Sequence, residues 1–367
     1  MRIRLSGKFG KMDAQLERNA IDIIDGLGTL NNRFNGKKIL LTGAAGFLGC
    51  QFLHYFLKVN ELEILSEPCH IYALDNYVRG IPDWMDGLEN NPSITIQKRD
   101  ITADIDYTNP EFIIHAASIA SPTYYRKYPI ETIDSNVTGL RNLLDYCKEN
   151  FIESFLFFST SEIYGDPDPE HIPTNEDYRG YVSCTGPRAC YDESKRLGET
   201  LCVNYWQIHD VPVKIVRPFN NYGPGLKITD RRVIPDFFRD VINNRDITIL
   251  SDGKATRTFC YISDAIEGYL RILLSNYNGE PFNIGTNYPE ISMGELANRI
   301  INLSTKKLRV KYTTSRDSDY ITDNPQRRCP SIKKANKLLG YNPKVSLEEG
   351  LRRTYKYYIA HPEAEEA

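Results

Sequence analysis

Lys37-Lys38-Ile39-Leu40-Leu41-Thr42-Gly43-Ala44-Ala45-Gly46-Phe47-Leu48-Gly49 is the stretch on which the reading of this chain turns. Its first half is a short apolar run of strand type. Its second half is a glycine-rich turn, and apolar residues at helical spacing continue from Phe47 to Val59. A strand that passes through such a turn into a helix gathers unpaired N–H groups and the positive end of the helix dipole at one point, which suits a phosphate. The spacing is G-x-x-G-x-x-G rather than the commoner G-x-G-x-x-G, so an ordinary strand–helix junction is the alternative. The next apolar run, Ile71-Tyr72-Ala73-Leu74, ends at Asp75. A carboxylate there can accept hydrogen bonds from ribose hydroxyls and would repel a 2′-phosphate. The pair points to NAD, with Arg79 nearby as the argument for NADP.

Further strands are expected at 94–96, ending near Asp100, and at 112–115, 155–158 and 213–216. Helical stretches at about 129–150 and 191–209 lie between them. Strands alternating with helices predict a parallel, doubly wound sheet, and near-continuous apolar strands predict cover on both faces. The expected fold is α/β: an NAD-binding Rossmann domain over 36–217, with a return segment at about 258–278. Past Arg217 the alternation breaks in Asn220-Asn221-Tyr222-Gly223-Pro224-Gly225. Residues 218–257 and 279–360 are read as a smaller C-terminal α/β substrate-binding lobe closing over the sheet's C-terminal edge, where ligands of open α/β sheets bind. Residues 361–367 form a tail. Ahead of the first strand, Leu16, Ala20, Ile23, Ile24 and Leu27 predict a helix from about Asp13 to Asp25, ending near Gly26 or Gly28. It could pack on the body or on a neighbouring subunit, or residues 1–35 could be a loosely attached leader.

The composition is globular, 41% hydrophobic and 25% charged. Lys plus Arg is 45 and Asp plus Glu 48, so the net charge is −3, and neither nucleic acid nor an anionic membrane has an electrostatic claim as partner. Any anion must be held locally. The eight cysteines form no C-x-x-C pair, which argues against a metal site and fits reduced thiols in a cytoplasmic protein. No run approaches the ~18 apolar residues of a membrane span, and the N-terminus lacks the apolar core of a signal peptide.

Tyr191 and Lys195 stand at i and i+4 and share one face of a helix. A nearby ammonium favours phenolate and is expected to lower the tyrosine pKa toward neutrality. Such a tyrosine can take a proton from an alcohol as hydride leaves the same carbon. With 24 tyrosines the spacing alone is weak. Its weight comes from lying downstream of a nucleotide fold and of Ser159-Thr160-Ser161.

Several stretches carry a family resemblance: Gly43-x-x-Gly46-x-x-Gly49, Asp75-Asn76, Asp100-Ile101, His115-Ala116-Ala117-Ser118, Ser159-Thr160-Ser161-Glu162-Ile163-Tyr164-Gly165, Tyr191-x-x-x-Lys195, and Arg217-Pro218-Phe219-Asn220-Asn221-Tyr222-Gly223-Pro224. From about Lys37 to Tyr358 the chain resembles the extended short-chain dehydrogenase/reductases acting on nucleotide sugars. Ala117-Ser118-Ile119-Ala120-Ser121-Pro122, Thr160-Ser161-Glu162-Ile163-Tyr164-Gly165-Asp166-Pro167, Gly186-Pro187-Arg188-Ala189-Cys190-Tyr191-Asp192-Glu193 and Asn324-Pro325-Gln326-Arg327-Arg328-Cys329-Pro330 are most similar to the UDP-glucuronate decarboxylases.

The resemblance implies oxidation at C4, loss of CO2 from the resulting β-keto acid, protonation at C5 and re-reduction at C4, with NAD regenerated. Sugar 4,6-dehydratases have an Asp where this chain has Ser161, which disfavours water elimination; 4-epimerisation stays open. By resemblance Tyr191 is the base, assisted by Lys195 and Thr160, and Ser161 and Glu162 sit near C5 and C6, with Glu162 managing a proton. Arg328 lies at the carboxylate end of the sugar. Gly43, Gly46, Phe47, Leu48, Gly49, Asp75, Asn76, Asp100, Ile101, Ala117, Tyr191 and Lys195 bind the cofactor. Ser121, Tyr125, Asn220, Arg232, Arg257 and Arg328 bind a UDP-linked sugar. A capping carboxylate for Glu162 and solvated charges for the arginines are the competing readings. The family implies a homodimer through the helices near 136–150 and 191–209. Ile119 for a proline, Thr123-Tyr124-Tyr125, Cys329 for a lysine and extra residues near Tyr181 depart from the decarboxylase pattern.

Overall fold

The computed structural model describes residues 12–103, 109–314, 322 and 324–362. Residues 1–11 of the expected N-terminal extension and 363–367 of the tail lie outside them. Six strands follow the apolar runs: β1 (Lys38–Thr42), β2 (His70–Asp75), β3 (Ile94–Lys98), β4 (Phe112–His115), β5 (Ser154–Phe158) and β6 (Val213–Pro218). A seventh, Pro281–Ile284, extends the same parallel sheet beside β6, although the sequence placed it in the C-terminal lobe. The order is Pro281–Ile284, β6, β5, β4, β1, β2, β3. The direction of winding reverses between β1 and β4, and a ligand crevice opens at such a reversal. Thr42 is paired with His115 there, so the turn after β1 and the loop after β4 emerge side by side.

The helices are α1 (Ala14–Leu27), α2 (Phe47–Glu61), α3 (Pro122–Lys127), α4 (Pro129–Glu149), α5 (Ala189–His209), α6 (Val233–Ile242), α7 (Ile262–Leu273), α8 (Met293–Ile301), α9 (Lys333–Leu339) and α10 (Leu347–Ala360). Successive residues of a strand point to opposite faces. Phe155 and Phe157 of β5 therefore join Leu140, Leu144 and Cys202 of α4 and α5 on one side, while Leu156 and Phe158 join the core under α2 and α7 on the other. Both faces are covered, as continuous apolar strands require.

Asp13 caps α1 by accepting from Gln15 N (2.7 Å) and Leu16 N (3.2 Å), and Gly28, at φ +54°, ends it. Its apolar stripe, Leu16, Ala20, Ile23, Ile24 and Leu27, is buried, and the helix packs on α2, α7 and α10. In the C-terminal part, Arg327–Arg328 pairs in parallel with Thr256–Arg257, which brings Arg257 and Arg328 side by side. All eight cysteines are free thiols. Among the described residues no helix is long and apolar enough to cross a membrane.

Candidate active site

The glycine turn is tight because side chains would not fit. Gly43 sits at φ +72°, and a Cβ on it would lie 2.7 Å from the Ala116 and Ala117 backbone; one on Gly49 would lie 2.4 Å from the Ala44 carbonyl oxygen. Gly46 caps α2 without a side-chain hydrogen bond, so the first-turn N–H groups at Phe47, Leu48 and Gly49 remain for a ligand. Asp75 is fixed by Ala45 N (2.9 Å) and Tyr77 N (2.7 Å), which holds its carboxylate beside the turn. Asn76 donates to Asp100 at 3.3 Å, and Ile101 is buried under Gly139. Ala117 N donates to Thr42 Oγ1 at 3.3 Å. A narrow glycine cradle, an uncapped helix N-terminus and a fixed carboxylate together fit a dinucleotide. Arg79, the argument for NADP, is engaged elsewhere. Its guanidinium lies 3.6 Å from the centre of the Tyr124 ring and pairs with Asp230 at 3.3 Å.

Tyr191 and Lys195 are buried on the first turns of α5. Lys195 Nζ donates to the Phe158 carbonyl at 2.8 Å and lies 5.9 Å from the centre of the Tyr191 ring. Here the expected tuning is corrected. Burial pushes the Tyr191 phenol up to about 12, against the lowering effect of its hydrogen bond with Thr160. Burial also pulls Lys195 down to about 7. Desolvation disfavours whichever form is charged, so burial governs both groups in the protein alone. Tyr125 stacks on Tyr191, centroids 5.1 Å apart and planes at 8°, and its buried hydroxyl has no protein partner.

Thr160 caps the short turn Ser161–Tyr164, its hydroxyl accepting from Glu162 N at 3.2 Å. That turn delivers Glu162 between two guanidinium groups, Arg188 and Arg328, and both pair with it. Burial raises the Glu162 pKa, but the two arginines outweigh it and hold the group well below the ordinary range. Glu162 is therefore a clamped carboxylate rather than a capping or surface group. Asp192 stands 3.6 Å from Arg188; burial and the Glu162 charge raise its pKa. Arg257 donates to the neutral oxygens of Thr256 (2.7 Å), Gln326 (3.1 Å), Asn324 (3.2 Å) and Pro325. Burial, with Arg328 next to it, brings it down to about 9. Arg188, Arg328 and Arg257 thus cluster with Glu162, Asp192 and Asp166, and Arg257 spends its donors on neutral oxygens.

Arg188 stands in the stretch 186–193 with nothing local to mark it as a site residue, because its partner Glu162 lies 26 positions earlier. Ser121 donates to the Asp230 carbonyl at 2.8 Å, so its hydroxyl proton faces a loop. Asn220, at φ +39°, donates to the Thr258 carbonyl at 2.9 Å. Arg232 is held by Asp230, close enough to Tyr191 for their charges to interact. The substituted Cys329 is buried, its thiol toward the Asn287 carbonyl.

Known proteins resemble this chain. Residues 39–285 match the NAD dependent epimerase/dehydratase family. UDP-glucuronic acid decarboxylase 6 of Arabidopsis thaliana is 36% identical over 323 residues, covering 88% of this chain and 89% of that protein. UDP-glucuronic acid decarboxylase 1 of Danio rerio is 36% identical over 326 residues, with 88% and 72% covered. Among solved structures, the UDP-glucuronic acid 4-epimerase of Bacillus cereus in complex with UDP-glucuronic acid and NAD superposes with a TM-score of 0.73 at 27% identity, covering 88% of this chain and 99% of that one. With the cradle, the reversal point and the Tyr–Lys pair all in place, this chain belongs to the NAD dependent epimerase/dehydratase family.

Proposed function

We propose that the protein converts UDP-glucuronate to UDP-xylose. The observation that carries this reading is the cluster beside Tyr191 in which Arg188 and Arg328 share the one carboxylate of Glu162. A C6 carboxylate entering beside Arg328 would give that guanidinium an anionic partner of its own. The decarboxylases at 36% identity support it. Bound NAD supplies an acceptor for the C4 hydride and returns it after decarboxylation.

This chain's residues do the rest. Tyr191, oriented by Thr160, takes the C4 hydroxyl proton, and Lys195 offsets the developing phenolate charge. Arg328 orients the carboxylate so that, with a ketone at C4, the C5–C6 bond breaks and its electrons flow into an enolate, while Arg257 serves the nucleotide or its phosphates. Protonation at C5 then precedes hydride return. Ser161 offers no acid to expel a hydroxyl, which disfavours the 4,6-dehydratase reading. Epimerisation at C4 is the second reading, favoured by the likeness to the UDP-glucuronic acid 4-epimerase.

Proton NMR of the sugar nucleotides after incubation with UDP-glucuronate and NAD decides between them. UDP-xylose without net NADH is the expected result. A C4 epimer with C6 intact would overturn it.

We further propose a cytoplasmic homodimer through α4 and α5. Ile130 and Ile133 on α4 and Leu197 and Ile208 on α5 are exposed apolar residues at helical spacing. Sedimentation velocity should give a dimer for the wild type and a monomer for Leu197→Arg combined with Ile208→Arg.

A further inference from the structure

The segment 224–232 leads into α6, and from Pro224 to Asp230 every residue except Lys227 is buried. It touches, in order, α2, the loop after β2 and the loop after β4. Gln51 of α2, just past the glycine turn, donates to the Pro224 carbonyl at 2.8 Å. Gly225, at φ +86°, passes so close to α2 that a Cβ would lie 2.9 Å from Cys50 Sγ. Lys227 Nζ donates to the Arg79 carbonyl at 2.7 Å in the loop after β2. Asp230 accepts from Arg79 at 3.3 Å, its backbone carbonyl accepts from Ser121 in the loop after β4 at 2.8 Å, and its second carboxylate oxygen holds Arg232. Asp230 is 4% exposed. A carboxylate so buried persists only with charged partners, and it has two: Arg79 from the loop after β2, and Arg232 from its own segment.

We propose that residues 224–232 form a strap across the mouth of the dinucleotide cleft and that Asp230 is the positioning residue that fastens it. Asp230 ties Arg79, on the cofactor side, to Arg232, on the sugar-nucleotide side. The strap itself rests on the family's use of NAD; the part played by Arg232 rests on the proposed substrate. Release of the dinucleotide requires Arg79 to let go, so the cofactor stays in place from one turnover to the next. The same grip, with Tyr124 beneath it, withholds Arg79 from any 2′-phosphate.

The test uses the full-length holoenzyme and the variants Arg79→Met, Asp230→Asn and their combination. Arg79→Met removes the guanidinium from both Asp230 and the Tyr124 ring, at a side chain that is 29% exposed, so folding is retained. Two quantities are read: the rate at which bound NAD exchanges with isotopically labelled NAD, and the KM for UDP-glucuronate. Each single variant should speed exchange about tenfold, the loss of one charge-assisted hydrogen bond. The double variant should be no faster than the faster single one, because both cut the same fastening. Asp230→Asn should also raise the KM, as Arg232 loses its partner, while Arg79→Met leaves it unchanged. Unchanged exchange in Arg79→Met, or additive effects in the double variant, would overturn the strap. If UDP-glucuronate does not saturate the enzyme, the substrate reading fails, and the exchange rates still decide the strap.

Discussion

Lys195 couples catalysis to stability through one buried nitrogen. Burial brings its pKa from the ordinary 10.5 to about 7. Between those values the unfolded chain holds a proton that the folded protein lacks, so stability rises with pH across that window, by at most about 1.4 kcal/mol per unit. Below pH 7 both states hold the proton and the penalty is constant. Lys195→Met removes this slope. The melting temperature of the wild type, relative to the variant, should therefore climb from pH 7 to pH 9 in thermal unfolding; parallel curves would mean that Lys195 stays charged. Tyr191→Phe should leave the fold intact and lower kcat by roughly 10²–10⁴-fold, the usual share of a positioned base, as followed by product formation. The spacing of Tyr191 and Lys195 was legible in sequence, but the direction of the tyrosine shift was not. Spacing reports that two groups share a helix face, whereas the shift depends on how much water the rest of the fold removes from both.

Elements show the same division between local and distant information. The strand runs, the glycine turn and α4 and α5 were readable because their signals sit within a few residues of one another. The second guanidinium on Glu162 was not, since Arg188 stands 26 positions further along, at the start of α5. Arg79 was read beside Asp75 on sequence proximity alone, and its partner Asp230 is 151 positions away. The β1–α2 junction makes a sharp demand of its own. Its turn closes only without a Cβ at Gly49, because that carbon would meet the Ala44 oxygen at 2.4 Å. Gly49→Ala should push α2 off the turn, spoil the alignment of its first N–H groups and weaken NAD binding at least tenfold. NAD content of the purified variant, by absorbance after denaturation, reads this directly; full occupancy would mean that the turn relaxes at no cost.

At the scale of the molecule, the two ends of the chain are fastened together on one face of the sheet. Arg353 of α10 pairs with Asp22 of α1, Tyr261 donates to Asn19 at 2.8 Å, and Arg271 of α7 donates to the Gly26 carbonyl at 2.6 Å. Asn19 also donates to Gln51 of α2 at 3.1 Å, so α1 meets the helix that begins at the glycine turn. The family match begins only at residue 39, yet α1 buries Leu16, Ala20, Ile23, Ile24 and Leu27. Four of these are Leu or Ile, worth about 1.5–3 kcal/mol each when fully buried, and together they approach the ~5–15 kcal/mol by which a typical domain is stable. Deleting residues 1–28 also uncovers the α7 and α10 surfaces and leaves Gln51 and Tyr261 without their Asn19 partner. The truncated chain should not accumulate as folded protein, even though everything the family shares is retained. A graded version avoids an all-or-none result: Ile23→Ala should cost about 2–5 kcal/mol and lower the melting temperature while leaving the KM for the sugar nucleotide unchanged, because Ile23 packs in the core far from any ligand-facing group. A soluble, cooperatively melting 29–367 fragment would show instead that α1 is carried by the fold rather than built into it.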